Sequence, residues 1–299
     1  MIIVNLTFDV PNSYECAPKS SEEIASAIRK TISALNEICC RRVTWFVDEY
    51  GYNLCDRHPS LLEEMSKYGE IGVHSHLNCP PSGTRHRIPR NKEIISEQME
   101  YGRDRLESWR SSMKQISPTE VSSIRSGAFL TNDSFFCAIF EQNILCDSSI
   151  VAFHTRYTRN VVQHLTHVFY AFTLGYRFSD VRVVKPGTQP YFLPSSTVNE
   201  SASPQKCMEF PVHVFTRLCE RNLDLKTMFN DQLQVSRRIH ENPVLTVCTH
   251  PFEFLQEFGG NKFQKIFIEF FRELDEREDC TFMSLQETRS EVGRSGAFN

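Results

Sequence analysis

Short runs of apolar, often β-branched residues alternate along most of the chain with longer stretches whose apolar positions recur every three or four residues. Residues 2–9 form an apolar run that ends in a polar cluster, which predicts a buried strand. A helix is predicted next, because Ser20 and Glu23 have capping-box spacing and Ile24, Ile28, Ile32 and Leu35 form one apolar stripe. Val43 to Val47 reads as a second strand. Pro59 suits the first turn of a helix carrying Leu61, Leu62 and Met65, and Glu70 to His74 reads as a third strand. The alternation continues. Asn91 can cap a helix reaching about Trp109, Val121 to Arg125 is strand-like, Thr131 or Asn132 can cap another helix, and Ile144 to Asp147 is strand-like again. Further strands are predicted around Met208–Phe215, Val244–Thr249 and Thr281–Leu285, with the last dozen residues loose.

Strands alternating with helices predict a mainly parallel sheet with helices outside, and the length of 299 residues suits one large α/β barrel domain over residues 1–299 or two ordinary domains. Residues 151–205 break the rhythm with several aromatics, a His164-x-x-His167 pair and the turn-rich Lys185-Pro186-Gly187. They are read as an insertion over the strand ends. No third ligand lies near His164 and His167, so their spacing does not predict a metal site.

Composition narrows the function classes. A net charge of −4 and a pI near 6.2 leave no basic field for nucleic acid or an anionic membrane. No apolar run approaches the roughly 18 residues of a membrane span. The opening MIIVNLTFDV lacks a basic segment and a cleavage site, so a cytoplasmic protein is expected. Eleven cysteines without a C-x-x-C arrangement fit free, buried thiols. The 23 phenylalanines predict an aromatic-rich core.

In parallel α/β barrels the carboxyl ends of the strands converge on one face, where reactive groups collect. Polar residues at those ends are Asp9, Asp48, His74 with His76, Arg125, Asp147, His213 and His250. A single histidine at such a place is more often structural than functional, and Asp147, Ser148 and Ser149 read most simply as a turn satisfying local backbone groups. The recurrence of an acid, several histidines and an arginine at the same point of successive units points to chemistry.

The segments that carry these residues resemble the carbohydrate esterases with a NodB-type polysaccharide deacetylase domain. The resemblance runs from about Ile2 to Leu285 through Leu6-Thr7-Phe8-Asp9, then VTWFV at 43–47 with GEIGVHSH at 69–76, then Arg125-Ser126-Gly127-Ala128-Phe129, Cys146-Asp147-Ser148-Ser149 and Thr249-His250-Pro251. It implies a single distorted (β/α) barrel and metal-assisted hydrolysis of an N-acetyl group on a sugar. By position, Asp9 is then the catalytic base, Arg125 holds that base, His250 is the general acid and His74 is a metal ligand. A divalent cation, zinc first, is the implied cofactor. The substrate implied is an N-acetylated sugar of a surface polysaccharide or its precursor. Phe129 and His213 are candidates for the substrate groove.

Two positions depart from the family pattern. Val10 stands where a second acid usually binds the metal, and Asn78 stands where a second histidine usually does. The candidate ligands are therefore His74, His76, Asn78 and Asp9, with His76 in an H-x-H arrangement similar to that of relatives in lipopolysaccharide biosynthesis. Deformylation or deacylation of a lipid- or nucleotide-linked sugar would use the same machinery. An idle barrel that binds a saccharide is the alternative that Val10 and Asn78 favour.

Overall fold

A computed structural model describes residues 1–10, 20–48, 54–55, 57–75, 121–129, 136, 139–152, 184–193, 207–216, 224–256 and 259–295. Elements are numbered among these residues. All nine residues of β1 (Ile2–Val10) are buried, because the strand is paired on both sides. It runs parallel to β2 (Val43–Val47) on one edge and to β9 (Val244–Thr249) on the other, and β10 (Cys280–Phe282) pairs with its first residues. From β2 the sheet continues, still parallel, through β3 (Gly69–Ser75), β4 (Ser123–Ser126), β5 (Cys146–Asp147) and β7 (Met208–Glu209). β6 (Tyr191–Phe192) is antiparallel to β7 at the edge, and β8 (Val212–Phe215) is parallel to β9. Only Phe210 and Pro211 separate β7 from β8. One stretch of chain thus pairs with β5 at its start and with β9 at its end, which curls the sheet into a distorted (β/α) barrel. Pro211 has no N–H for the ladder, and the strand predicted over Met208–Phe215 breaks there.

Alternation along β1 sorts its side chains between two layers. Ile2, Val4, Leu6, Phe8 and Val10 join the large cluster beneath the helices. Phe8 stacks on Trp45 at 4.6 Å between centroids and meets Phe267 at 6.2 Å. Phe267 belongs to α4 (Gly260–Asp275), whose buried face carries Phe263, Phe267, Phe270 and Phe271 at helical spacing. Among the described residues the phenylalanines therefore gather largely in the joint between sheet and helices. α1 (Ser21–Glu37) buries Ile24, Ile28, Ile32 and Leu35, and Ser20 and Glu23 form the capping box that their spacing predicts. α2 (Pro59–Ser66) and α3 (Leu225–Ile239) complete the outer layer, with Leu61, Leu62, Met65, Met228 and Phe229 buried.

The other set along β1 faces the barrel interior. Ile3 packs in a second cluster with Phe46, Phe210, Val244, Leu285 and Val292. Gly72 leaves room there for Phe46: a Cβ would stand 2.9 Å from its ring and 2.8 Å from the Ser123 carbonyl. Of the last dozen residues, expected to be loose, residues 288–295 are helical. α5 (Leu285–Ser295) closes the amino-terminal mouth of the barrel, where Asn5 Nδ2 donates to Thr288 Oγ1 at 2.6 Å. The strand predicted through Leu285 stops at Phe282 because Ser284 and Glu287 cap this helix reciprocally, at 3.3 and 2.8 Å.

Of the predicted insertion, residues 151–152 and 184–193 are described. Gln189 Oε1 accepts from the Val244 amide at 2.7 Å, and Gly187, at φ +79°, packs against Val235 and Ser236 of α3. The helix expected between Asn91 and Trp109, the cap at Thr131 or Asn132, and His164 with His167 lie outside the described residues.

Candidate active site

Asp9 is next to last in β1 and 3% exposed. Its register partner is Phe46 on β2, and the interior ring of Phe46 lies 4.4 Å from the guanidinium carbon of Arg125. Arg125, on β4, is fully buried and spends its donors in two directions. Nη1 donates to Asp9 Oδ1 at 2.8 Å, while Nε donates to the Ser148 carbonyl at 2.9 Å and Nη2 to Ser148 Oγ at 2.8 Å. Ser148 Oγ in turn donates to the Phe210 carbonyl at 2.8 Å. The serines after Asp147 thus do more than satisfy a local turn: Ser148 seats the arginine, and Ser149 Oγ accepts from the Ser126 amide at 2.8 Å.

His250 follows β9, and its Nε2 stands 3.9 Å from Asp9 Oδ2. Its Nδ1 donates to Glu253 Oε1 at 3.1 Å. Glu253 is fully buried and accepts from Thr216 Oγ1 at 2.7 Å through its other oxygen. A carboxylate on Nδ1 fixes the tautomer and turns Nε2 toward Asp9. The imidazole is flanked by Phe252 at 4.6 Å and Phe215 at 5.4 Å, and Phe129 meets Phe215 edge-on at 5.9 Å. Phe129 sits at φ +57° after the 3₁₀ turn opened by Gly127, a left-handed conformation that a non-glycine residue adopts only under constraint.

His74 is on β3, in register with Arg125, and 4% exposed. Burial pushes its pKa down to about 4 against the opposing pull of Asp9, with Arg125 and His250 adding to the depression. It is neutral at physiological pH. For Asp9, burial alone would raise the pKa, but Arg125, His74 and His250 outweigh it and hold the carboxyl well below the usual range. Cys248, its thiol kept neutral by burial, donates to Asp9 Oδ2 at 3.4 Å.

The structure therefore brings Asp9, Arg125, His74 and His250 together at the carboxyl ends of β1, β4, β3 and β9, with Phe129 near His250. It does not bring His213 into this group as a free donor. His213 Nε2 donates to the Thr188 carbonyl at 2.9 Å and Nδ1 accepts from the Thr246 amide at 3.1 Å, so both ring nitrogens brace main chain. Val10 is fully buried in the apolar cluster. His76 and Asn78 lie outside the described residues. Glu253, Thr216 and Cys248 escape the sequence reading, and Ser148 was read there only as a turn residue in a family motif. Only Glu253 carried a local signal, three residues after His250 in a His-Pro-Phe-Glu turn with capping-box geometry.

Asp9 offers an ionised carboxylate and His74 a neutral imidazole, the forms in which both bind metals. Among the described residues no group of three His, Cys, Asp or Glu side chains is placed to hold an ion, so further donors would come from His76 and Asn78.

No family model matches the chain, and no curated protein sequence matches it. Solved structures do. A protein assigned as a polysaccharide deacetylase from Mycobacterium smegmatis superposes with a TM-score of 0.62 at 14% identity, covering 100% of this chain and 92% of that one. Another so assigned, from Pseudomonas aeruginosa PAO1, gives 0.63 at 11% identity, covering 100% and 93%. The allantoinase PuuE gives 0.62 at 11% identity, covering 100% and 92%. At such identities the likeness concerns architecture, and with β1 to β9 curled around Asp9, Arg125 and His250 the chain has the distorted (β/α) barrel fold of the polysaccharide deacetylases.

Proposed function

We propose that the protein is a hydrolase of linear amides that removes an N-acetyl group from a sugar of a surface polysaccharide or its precursor. The observation that carries this reading is the buried Asp9–Arg125 ion pair with the Nε2 of His250 3.9 Å from the same carboxylate. An ionised base, a cation that keeps it ionised and a carboxylate-backed imidazole are the parts that amide hydrolysis needs. Asp9 takes the proton of the attacking water. Arg125 holds its carboxylate in place and charged. His250, oriented by Glu253, gives a proton to the departing amine, which leaves poorly as an anion. Phe129 and Phe215 form an apolar wall beside the acid. His74 and Asp9, with His76 and Asn78, would hold a divalent cation, zinc being the expectation; when bound, such an ion lowers the pKa of a water and stabilises an oxyanion. Val10 supplies packing where an acid would supply a ligand.

Acetate release from N-acetylated sugars and oligosaccharides tests this reading. Asp9→Asn and His250→Ala should each lower kcat by about 10²–10⁴-fold, the usual contribution of a general base or acid. Parent-like rates in both variants would overturn the assigned roles.

A further inference from the structure

Behind Arg125 lies a second ionisable group that this chemistry does not use. Asp147 ends β5 and Glu209 ends β7, and the two are register partners on adjacent parallel strands. Both are fully buried. Each carboxyl acts on the other, and neither Asp147 Oδ2 nor Glu209 Oε2 has a hydrogen-bond partner among the described residues. A hydrogen bond between two carboxyls needs a proton that the pair itself carries, and two anions so deeply buried would repel with little screening. One proton held between the two free oxygens would supply the missing partner and remove the repulsion.

The remaining oxygens tie down the chain between them. Asp147 Oδ1 accepts from Ser149 Oγ, whose oxygen takes the Ser126 amide, and Glu209 Oε1 accepts from the Ile150 amide at 3.1 Å. Ser148, which carries Nε and Nη2 of Arg125, lies in this tethered segment. We propose that Asp147 and Glu209 form a proton-sharing clamp that fixes Ser148 and, through it, the grip of Arg125 on Asp9. Both are positioning residues, and their effect on turnover rests on Asp9 being the base, as proposed above.

The groups around the clamp are few. Arg125 is the cation acting on both carboxyls. Cys146 and Cys207 flank them, with thiols that burial keeps neutral, and Glu70 and Arg289 act on those thiols. Burial raises the pKa of both carboxyls, and the charge of Asp147 raises that of Glu209 further. A carboxyl raised by folding contributes stability that is complete below its unfolded pKa and fades as pH rises through the folded value. The clamp therefore loosens toward alkaline pH, when the shared proton leaves and the two anions push apart.

Glu209→Gln separates the clamp from its proton, since the amide can accept from Ile150 and donate to Asp147 without titrating. The melting temperature of the parent should fall from neutral to alkaline pH, and that of Glu209→Gln should stay flat across the same range. Asp147→Asn gives the reciprocal amide, and the infrared spectrum of the parent should show a protonated carboxyl at neutral pH that Glu209→Gln lacks. On an N-acetylated sugar, Glu209→Ala should lower kcat by about 10²-fold with KM nearly unchanged, as a misplaced base does, and Glu209→Gln should restore it. A parent-like melting profile in Glu209→Gln, no protonated carboxyl in the parent, or parent-like kcat in Glu209→Ala would overturn the clamp. A parent without any deacetylase activity would sink the functional reading alone, because the melting and infrared measurements still decide whether the pair shares a proton.

Discussion

Asp9 is a carboxylate removed from water yet kept ionised, and that requires a fully committed partner. Arg125 meets the demand because its planar fork serves Asp9 and Ser148 at once, over the face of Phe46. A lysine would have neither the second set of donors nor the flat face. His250 is organised in the same manner from its far side, since the buried carboxylate of Glu253 takes Nδ1 and leaves Nε2 for the cleft. Glu253→Gln should therefore lower deacetylation kcat on the order of 10²-fold with KM nearly unchanged. Steady-state kinetics beside a melting curve separates this from simple loss of folded protein. An unaltered kcat would make Glu253 no more than a cap of the Pro251–Phe254 turn.

At the scale of elements, the ends of the barrel are built by different means. The amino-terminal mouth is closed by α5, held by Asn5 on Thr288 and by the reciprocal cap of Ser284 and Glu287. Ser284→Ala removes the side-chain half of that cap and should cost about 1 kcal/mol, read as a shift of the denaturant midpoint. Deacetylase kcat should be unchanged, because the cap lies at the end of the barrel away from Asp9. The carboxyl end instead depends on short β4, β5 and β7, whose few ladder bonds are supplemented by side-chain bonds from Ser148, Ser149 and Glu209. Polar side chains do there what longer strands do elsewhere in the sheet.

For the whole molecule, closure of the sheet determines what can meet. β1 lies between β2 and β9, so the first strand and one near the end of the chain stand side by side and place Asp9 beside His250. The divalent cation proposed for Asp9 and His74 has its own test. Calorimetric titration of zinc into chelator-treated protein should show a site lost in His74→Ala and His76→Ala and nearly intact in Asn78→Ala. Loss in Asn78→Ala with His76→Ala intact would transfer the second ligand to Asn78. A parent that binds no divalent ion would favour the saccharide-binding barrel.

The repeating pattern was enough to read β1, β2 and β9, because apolar β-branched runs bounded by polar clusters have one stable home in a parallel sheet. It was also enough to read α1, where the stripe and the capping box are both local signals. Asp9, Arg125 and His250 were legible as strand-end residues in familiar motifs. Strand was legible at both ends of Met208–Phe215 but not the break between them, and the helix over residues 288–295 was read as loose, since a single Pro211 and a Ser-x-x-Glu cap outweigh an apolar pattern only once neighbours are in place. Glu253 behind His250, Ser148 behind Arg125, the brace made by His213 and the burial of Asp147 beside Glu209 were decided by tertiary structure alone. Each depends on burial and on a partner distant in sequence, and no local periodicity records how deeply a polar group is buried or what charge it will face there.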